Sequence, residues 1–154
     1  MRQKQKGFTL IEILLVIAII AVLATVVVVA LDPVKRFRDA RDARRLSDIQ
    51  SILAATQQYI VDNKGDLPQG LDTNEKQLGT GDSGCGILGN CNVTGDTDCI
   101  DIAGSLAPYL KSMPYDPENG SEATTHYSIQ LDAGNIVTVI ACDSTDTTIA
   151  SVSR

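Results

Sequence analysis

The sequence predicts an α+β protein, in which a long amino-terminal helix, apolar in its first half, packs through its second half on a small antiparallel β-sheet. Three observations carry that expectation. Phe8 to Leu31 is a run of 24 residues whose only charge is Glu12. Leu46, Ile49, Leu53, Thr56 and Ile60 then recur at steps of three and four, the spacing of one helix face. From Tyr127 onward the spacing becomes the two-residue alternation of strands.

The apolar run comes first. An α-helix rises about 1.5 Å per residue, so 24 residues cover roughly 36 Å, enough to cross a hydrocarbon core of about 30 Å. A cleaved secretory signal has a shorter apolar region and a small-residue site on its far side. Here the run continues through Val26-Val27-Val28-Val29 to Leu31 with no such site after it, which leaves a membrane anchor. Glu12 is costly in that setting, and a carboxylate in a membrane helix calls for a partner.

Charge divides the chain in the same way. The protein has 154 residues, with 13 Lys plus Arg against 19 Asp plus Glu and a net charge of -6. Residues 1–45 carry nine basic and four acidic side chains, net +5, and residues 46–154 carry net -11, which together return the total. The result is a basic stalk and an acidic body. An acidic body argues against direct nucleic-acid binding by the exposed head.

The opening Lys6-Gly7-Phe8-Thr9-Leu10-Ile11-Glu12, preceded by Arg2 and Lys4 and followed by the apolar helix, resembles the class III signal of type IV pilins and pseudopilins. The resemblance implies a leader of residues 1–7, cut between Gly7 and Phe8 by prepilin peptidase on the cytoplasmic side, with Phe8 then N-methylated. It also implies that Glu12 pairs with the Phe8 amine of a neighbouring subunit and sets the register of a filament. The physics agrees, because pairing a new cationic amine with Glu12 neutralises two charges that are expensive in an apolar filament core. Thr9 adds a hydroxyl beside this pair, or bonds its own helix. The chain departs from many pilins in having no proline between Phe8 and Leu31. Asp32-Pro33 stands at the outer end instead, where Asp32 can cap a helix that restarts at Pro33, giving a bend or break.

Beyond it, residues 32–63 read as an amphipathic continuation ending near Asn63, so that Phe8 to Asn63, 56 residues, is roughly 84 Å if wholly helical. Lys35, Arg36, Arg38, Arg41, Arg44 and Arg45 cluster among Asp39, Asp42 and Asp48. They are expected to form a solvated face laced by pairs such as Asp42 with Arg45, or to meet the acidic body of a neighbouring subunit or lipid headgroups. Six basic residues on this outer flank against three before Gly7 run counter to the positive-inside rule. The peptidase motif and the cysteines orient the head outside the cytoplasm.

Residues 64–154 read as the globular head. Gly65-Asp66-Leu67-Pro68 ends the long helix, and Pro68 to about Gly95 is expected to be loop. Ile102 to Leu110 reads as a short helix. Tyr127, Ile129 and Leu131, the turn Asp132-Ala133-Gly134-Asn135, and Ile136-Val137-Thr138-Val139-Ile140 read as an antiparallel hairpin, with Thr147 to Val152 a further strand. Asp62-Asn63-Lys64-Gly65-Asp66-Leu67-Pro68 and Pro114-Tyr115-Asp116-Pro117 are also similar, more weakly, to segments common in pilins.

Cys85, Cys91, Cys99 and Cys142 all follow the membrane run, without redox or zinc spacing, and their even number in an exported, weakly cored head predicts two disulfides. Three pairings are open. The preferred one joins Cys85 to Cys91 across a small Gly-rich loop and Cys99 to Cys142, the latter on the resemblance to pilins, whose disulfides tie the carboxy-terminal region to the head. Asp96, Asp98 and Asp101, and separately Asp116, Glu118 and Asn119, are oxygen-rich stretches weighed for calcium against ordinary turn chemistry. Gly81-Asp82-Ser83-Gly84 resembles the nucleophile segment of trypsin-like proteases, but the only histidine, His126, follows it where that family's precedes it. Asn92-Val93-Thr94 and Asn119-Gly120-Ser121 are glycosylation sequons by pattern alone.

The resemblance implies a structural subunit of a type IV pilus, without enzyme activity or cofactor. Its expected partners are copies of itself, prepilin peptidase, the assembly machinery and, before assembly, a bacterial cytoplasmic membrane crossed once. The alternative is a pseudopilin of a type II secretion system, and the third reading a membrane-anchored binding module or enzyme.

Overall fold

The computed structural model describes residues 7–86, 89–147 and 150–154. The chain divides into two units, residues 1–37 and 38–154, each compact by itself.

In the first unit, Thr9 caps a helix α1, Leu10–Leu31. A long unbroken row of Leu, Ile, Val and Ala needs no tertiary support to stay helical where water is absent, because every backbone group is satisfied within the helix. Thr25 is absorbed likewise, its hydroxyl donating to the carbonyl oxygens of Ala21 and Val22 at 3.1 and 2.7 Å. Asp32 interrupts the ladder in a left-handed conformation, φ 35 and ψ 72. Its Oδ1 accepts from Lys35 N at 3.3 Å and its carbonyl oxygen from Arg36 N at 3.3 Å. Helix α2, Pro33–Asp62, starts there with proline in the position where a missing N–H costs nothing. The expected break at Asp32-Pro33 is thus present.

Most of α2 belongs to the second unit, where Ile49, Ile52, Leu53, Ala55 and Thr56 are buried, with Leu46 and Ile60 at the margin. The helix ends through Lys64 and Gly65, both at positive φ, with Gly65 N donating to Ile60 O at 2.8 Å.

Five strands follow in the order β2-β1-β3-β4-β5: β1 Lys76–Leu78, β2 Cys99–Ile100, β3 Tyr127–Leu131, β4 Val137–Ala141 and β5 Ser151–Ser153. All neighbours are antiparallel except β1 with β2. The hairpin β3–β4 pairs Tyr127 with Ala141 through to Leu131 with Val137. Its turn is held by Asp132, whose Oδ1 accepts from Gly134 N and Ile136 N at 2.7 and 2.9 Å. Two-residue alternation sends Tyr127, Ile129, Leu131, Val137, Val139 and Ala141 into one core with the α2 residues. On the other face Ile140 meets a smaller core of Cys91, Val93 and Cys142.

Three sequence expectations change. The stretch read as loop contains β1 at Lys76–Leu78, too short to show a pattern of its own and held by pairing with β2 and β3. The helix expected from Ile102 to Leu110 is α3, Ala103–Leu106, closed by the turn that Leu110 N makes to Leu106 O at 2.8 Å. The last strand is β5, and Thr148 and Ile149 of its expected span lie outside the described residues.

Candidate functional site

The amino-terminal motif is built around one carboxylate. Thr9 N and Thr9 Oγ1 both donate to Glu12 Oε2, at 2.8 and 2.7 Å, and Glu12 N donates back to Thr9 Oγ1 at 3.3 Å. This reciprocal cap satisfies the first orphan donors of α1 and fixes Glu12 one turn inside the helix. Oε1 of Glu12 takes no hydrogen bond among the described residues. Around it every residue from Gly7 to Ala30 is exposed, including Phe8 at 84%. The surface is therefore a continuous apolar cylinder, far larger than the patches soluble monomers display. A Cβ added at Gly7 would meet nothing, so the fold itself makes no demand for glycine there.

The second arrangement is a buried ion cluster in the head. Arg45 is 2% exposed, with Asp116 at 1% and Asp42 at 4%. Arg45 Nε and Nη2 donate to the two oxygens of Asp116 at 2.6 and 3.1 Å, while Nη1 donates to Asp42 Oδ1 at 2.9 Å. Asp116 Oδ1 also accepts from Glu118 N and Asn119 N at 2.8 and 3.1 Å, and Asp42 accepts from both N and Oγ1 of Thr145. Arg45 thereby ties α2 to the Tyr115–Asn119 turn, and Asp42 ties it to the loop after β4. Burial opposes ionisation of Asp116, but hydrogen bonds from Arg45 and then from the Glu118 and Asn119 backbone outweigh it and hold its carboxyl below the usual range. For Asp42 burial is likewise outweighed, by the Thr145 hydroxyl and then Arg45. Gly120 closes the turn, since a Cβ there would lie 2.4 Å from Asp116 N and 2.7 Å from Thr125 O. Close by, Tyr127 donates its hydroxyl to Asp48 Oδ2 at 2.9 Å. Burial, and then that aspartate, push the phenol well above its ordinary pKa.

The pair Asp42–Arg45 is therefore not the solvated surface pair expected of the basic cluster. The available signal was the position of Arg45, four residues before Ile49 on the stripe that becomes buried.

The preferred disulfide pairing is overturned. Cys85 joins Cys99 and Cys91 joins Cys142, with Cα atoms 5.4 and 4.9 Å apart. The backbone explains both. Cys85 N donates to Asp96 O at 2.9 Å, folding the loop back against the start of β2. Asn90 N donates to Cys142 O at 2.7 Å, which sets Cys91 beside the end of β4.

Other candidates are not brought together. Asp96 Oδ1 accepts from Gly84 N at 3.2 Å, Asp98 Oδ2 from Thr94 Oγ1 at 3.3 Å and Asp101 Oδ1 from Ala103 N at 2.9 Å, each serving a different turn. No group of three His, Cys, Asp or Glu suited to a metal occurs among the described residues. Asp116 and Glu118 are engaged by Arg45 and Arg41, and Asn119 Nδ2 donates to Asp143 Oδ2 at 2.8 Å. His126 Nδ1 sits 2.9 Å from the same Asp143 oxygen.

A long amino-terminal helix, apolar in its first half and followed by a mostly antiparallel five-stranded head, has the α+β layout of pilin-like proteins. Residues 2–28 match the family model described as the prokaryotic N-terminal methylation motif. The chain thus carries the amino-terminal signal of type IV pilins and pseudopilins. That signal implies processing by prepilin peptidase and assembly into filaments in general, and suggests a structural subunit rather than an enzyme. Helix α1 is compatible with membrane anchoring. No curated protein and no solved structure matches the chain at a significant level.

Proposed function

We propose that the protein is a structural subunit of a type IV pilus. Residues 1–7 are its leader, cut after Gly7, and Phe8 becomes the N-methylated first residue. Before assembly residues 8–31 cross the bacterial cytoplasmic membrane once, with the head outside the cytoplasm, and in the filament they pack against other copies.

The observation that carries this reading is the capped Glu12 within a wholly exposed apolar helix. A helix with no partner for its surface is suited to lipid first and to other copies afterwards. Cutting before Phe8 leaves a cation one residue before Thr9 and four before Glu12, at the start of the helical cap, and Oε1 of Glu12 is open to the amine of another copy. Pairing there is favourable in an apolar core, because the alternative is two unpaired charges out of water. Gly7, which the fold does not need, is supported as a requirement of the peptidase.

Mass spectrometry of the protein from its host should find Phe8 as the amino terminus with one methyl group. Glu12→Ala should be processed and held in the membrane yet fail to enter filaments beside wild type. An intact Met1, or normal incorporation of the variant, would overturn the reading. Filaments imaged at the cell surface with and without the gene separate a pilus from the short secretion piston of a pseudopilin.

A further inference from the structure

Unlike Arg45, three arginines near it keep their charge at the surface. Arg38, Arg41 and Arg44 stand at steps of three at the start of the second unit, a row about 9 Å long on α2. Arg38 is exposed, with no carboxylate partner among the described residues. Arg44 keeps 60% of its side chain exposed, with Asp48 Oδ2 at 3.7 Å. Arg41 reaches Glu118 Oε1 at 2.8 Å, and 41% of its side chain is still exposed. The fold takes up these charges only in part, Arg41 and Arg44 each sharing one carboxylate at a partly exposed position.

The head holds a matching surplus of the opposite sign. Residues 46–154 carry net -11. Asp82, Asp96 and Glu122 share the surface of the 80–84 loop, because Thr80 N donates to Glu122 O at 3.0 Å and Gly84 N to Asp96 Oδ1 at 3.2 Å. All three are exposed, and no Lys or Arg pairs with them among the described residues. Polymerisation would bring side by side subunits whose residues 8–154 carry -9 each, so a filament needs countercharge at its subunit contacts. With screening over about 8 Å at physiological salt, charge matching between subunits acts through close pairs rather than through the net charge of the whole chain.

We propose that the Arg38–Arg41–Arg44 row of one copy docks on the Asp82–Asp96–Glu122 surface of a second copy. This rests on the filament reading above and names which head surface a neighbouring helix meets. Guanidinium forks match carboxylates in geometry as well as charge. A second copy is favoured over an anionic lipid surface because the chain itself carries both complementary sets, whereas lipid would leave the acidic surface without a role.

The test uses the full chain in its host with the assembly machinery present. Arg38→Glu with Arg44→Glu should be processed, keep both disulfides and remain in the membrane, while filament incorporation falls roughly tenfold or more. Co-expression with a second copy carrying Asp82→Lys and Glu122→Lys should restore incorporation of both. Normal incorporation of the arginine variant overturns the proposal. So does a loss that the acidic-surface variant does not relieve, including one that tracks weaker binding to phosphatidylglycerol vesicles. Failure of wild type itself to form filaments refutes the pilus reading instead, and is distinguishable because it precedes any substitution.

Discussion

Replacing Arg45 by Met removes the cation from a site where two carboxylates stay behind. Asp116 and Asp42 are 1% and 4% exposed, so neither can turn to water. Removing one partner from a buried ion pair costs about 3–5 kcal/mol, against a total stability of about 5–15 kcal/mol for a domain. The lower end is expected, because backbone donors at Glu118 and Asn119 and the two Thr145 donors remain. The loss should also depend on pH with a defined sign. In the wild type both carboxyls are held below their ordinary values, so their contribution is complete above the unfolded value of about 3.9 and disappears as pH falls through the folded ones. In the variant burial acts with less opposition, raising both carboxyls, so the variant gains relative to wild type on acidification. The stability gap should therefore be widest near neutrality and narrow below about pH 4. Urea unfolding of the full chain in mild detergent, followed by the near-ultraviolet signal of the tyrosines at pH 7 and about pH 3, reads both quantities. A gap below about 1 kcal/mol at pH 7 would refute the reasoning, as would one that acid leaves unchanged, since either means that the carboxylates do not depend on Arg45.

Non-reducing peptide mapping should recover Cys85 with Cys99 and Cys91 with Cys142, and a Cys85–Cys91 peptide would contradict the folded loop. Their separations of 14 and 51 residues give loop-closure contributions of about 3 and about 4 kcal/mol, so a Cys91→Ser, Cys142→Ser variant should lose more in urea melts than Cys85→Ser, Cys99→Ser. Tyr127→Phe deletes the hydroxyl bonded to Asp48 and keeps the packing, with an expected cost of about 1.5–3 kcal/mol. In alkaline titration that variant should lose a phenol that ionises only above the ordinary tyrosine range, and an unchanged titration curve would count against burial of the Tyr127 hydroxyl.

The parts legible in the sequence are those with local causes. The membrane-length run is one contiguous stretch, and the Asp32-Pro33 break and the hairpin turn at Asp132 each depend on residues within four positions of one another, whereas the reciprocal Thr9–Glu12 cap emerged only in the structure. The stripe Ile49, Leu53 and Thr56 was readable for the same reason, since helix periodicity records which face will be covered. Strand β1 was not readable, because three residues gain their conformation from partners 22 and more positions away.

By itself, then, the sequence determined the division of labour: an apolar helix behind an amino-terminal methylation motif, carrying one placed carboxylate, and a polar head stapled by disulfides. Spacing and hydropathy suffice for that, because a lipid-length helix satisfies its own backbone and needs no knowledge of the rest of the chain. Tertiary structure alone decided which cysteines meet and which arginine becomes interior. Cys91 and Cys142 are 51 residues apart and Arg45 and Asp116 are 71 apart, and no local pattern encodes such distances. Among six similar basic residues, only Arg45 falls where the Asp116 turn and the Thr145 loop close over α2, and the desolvation that follows turns a surface charge into a buried tie.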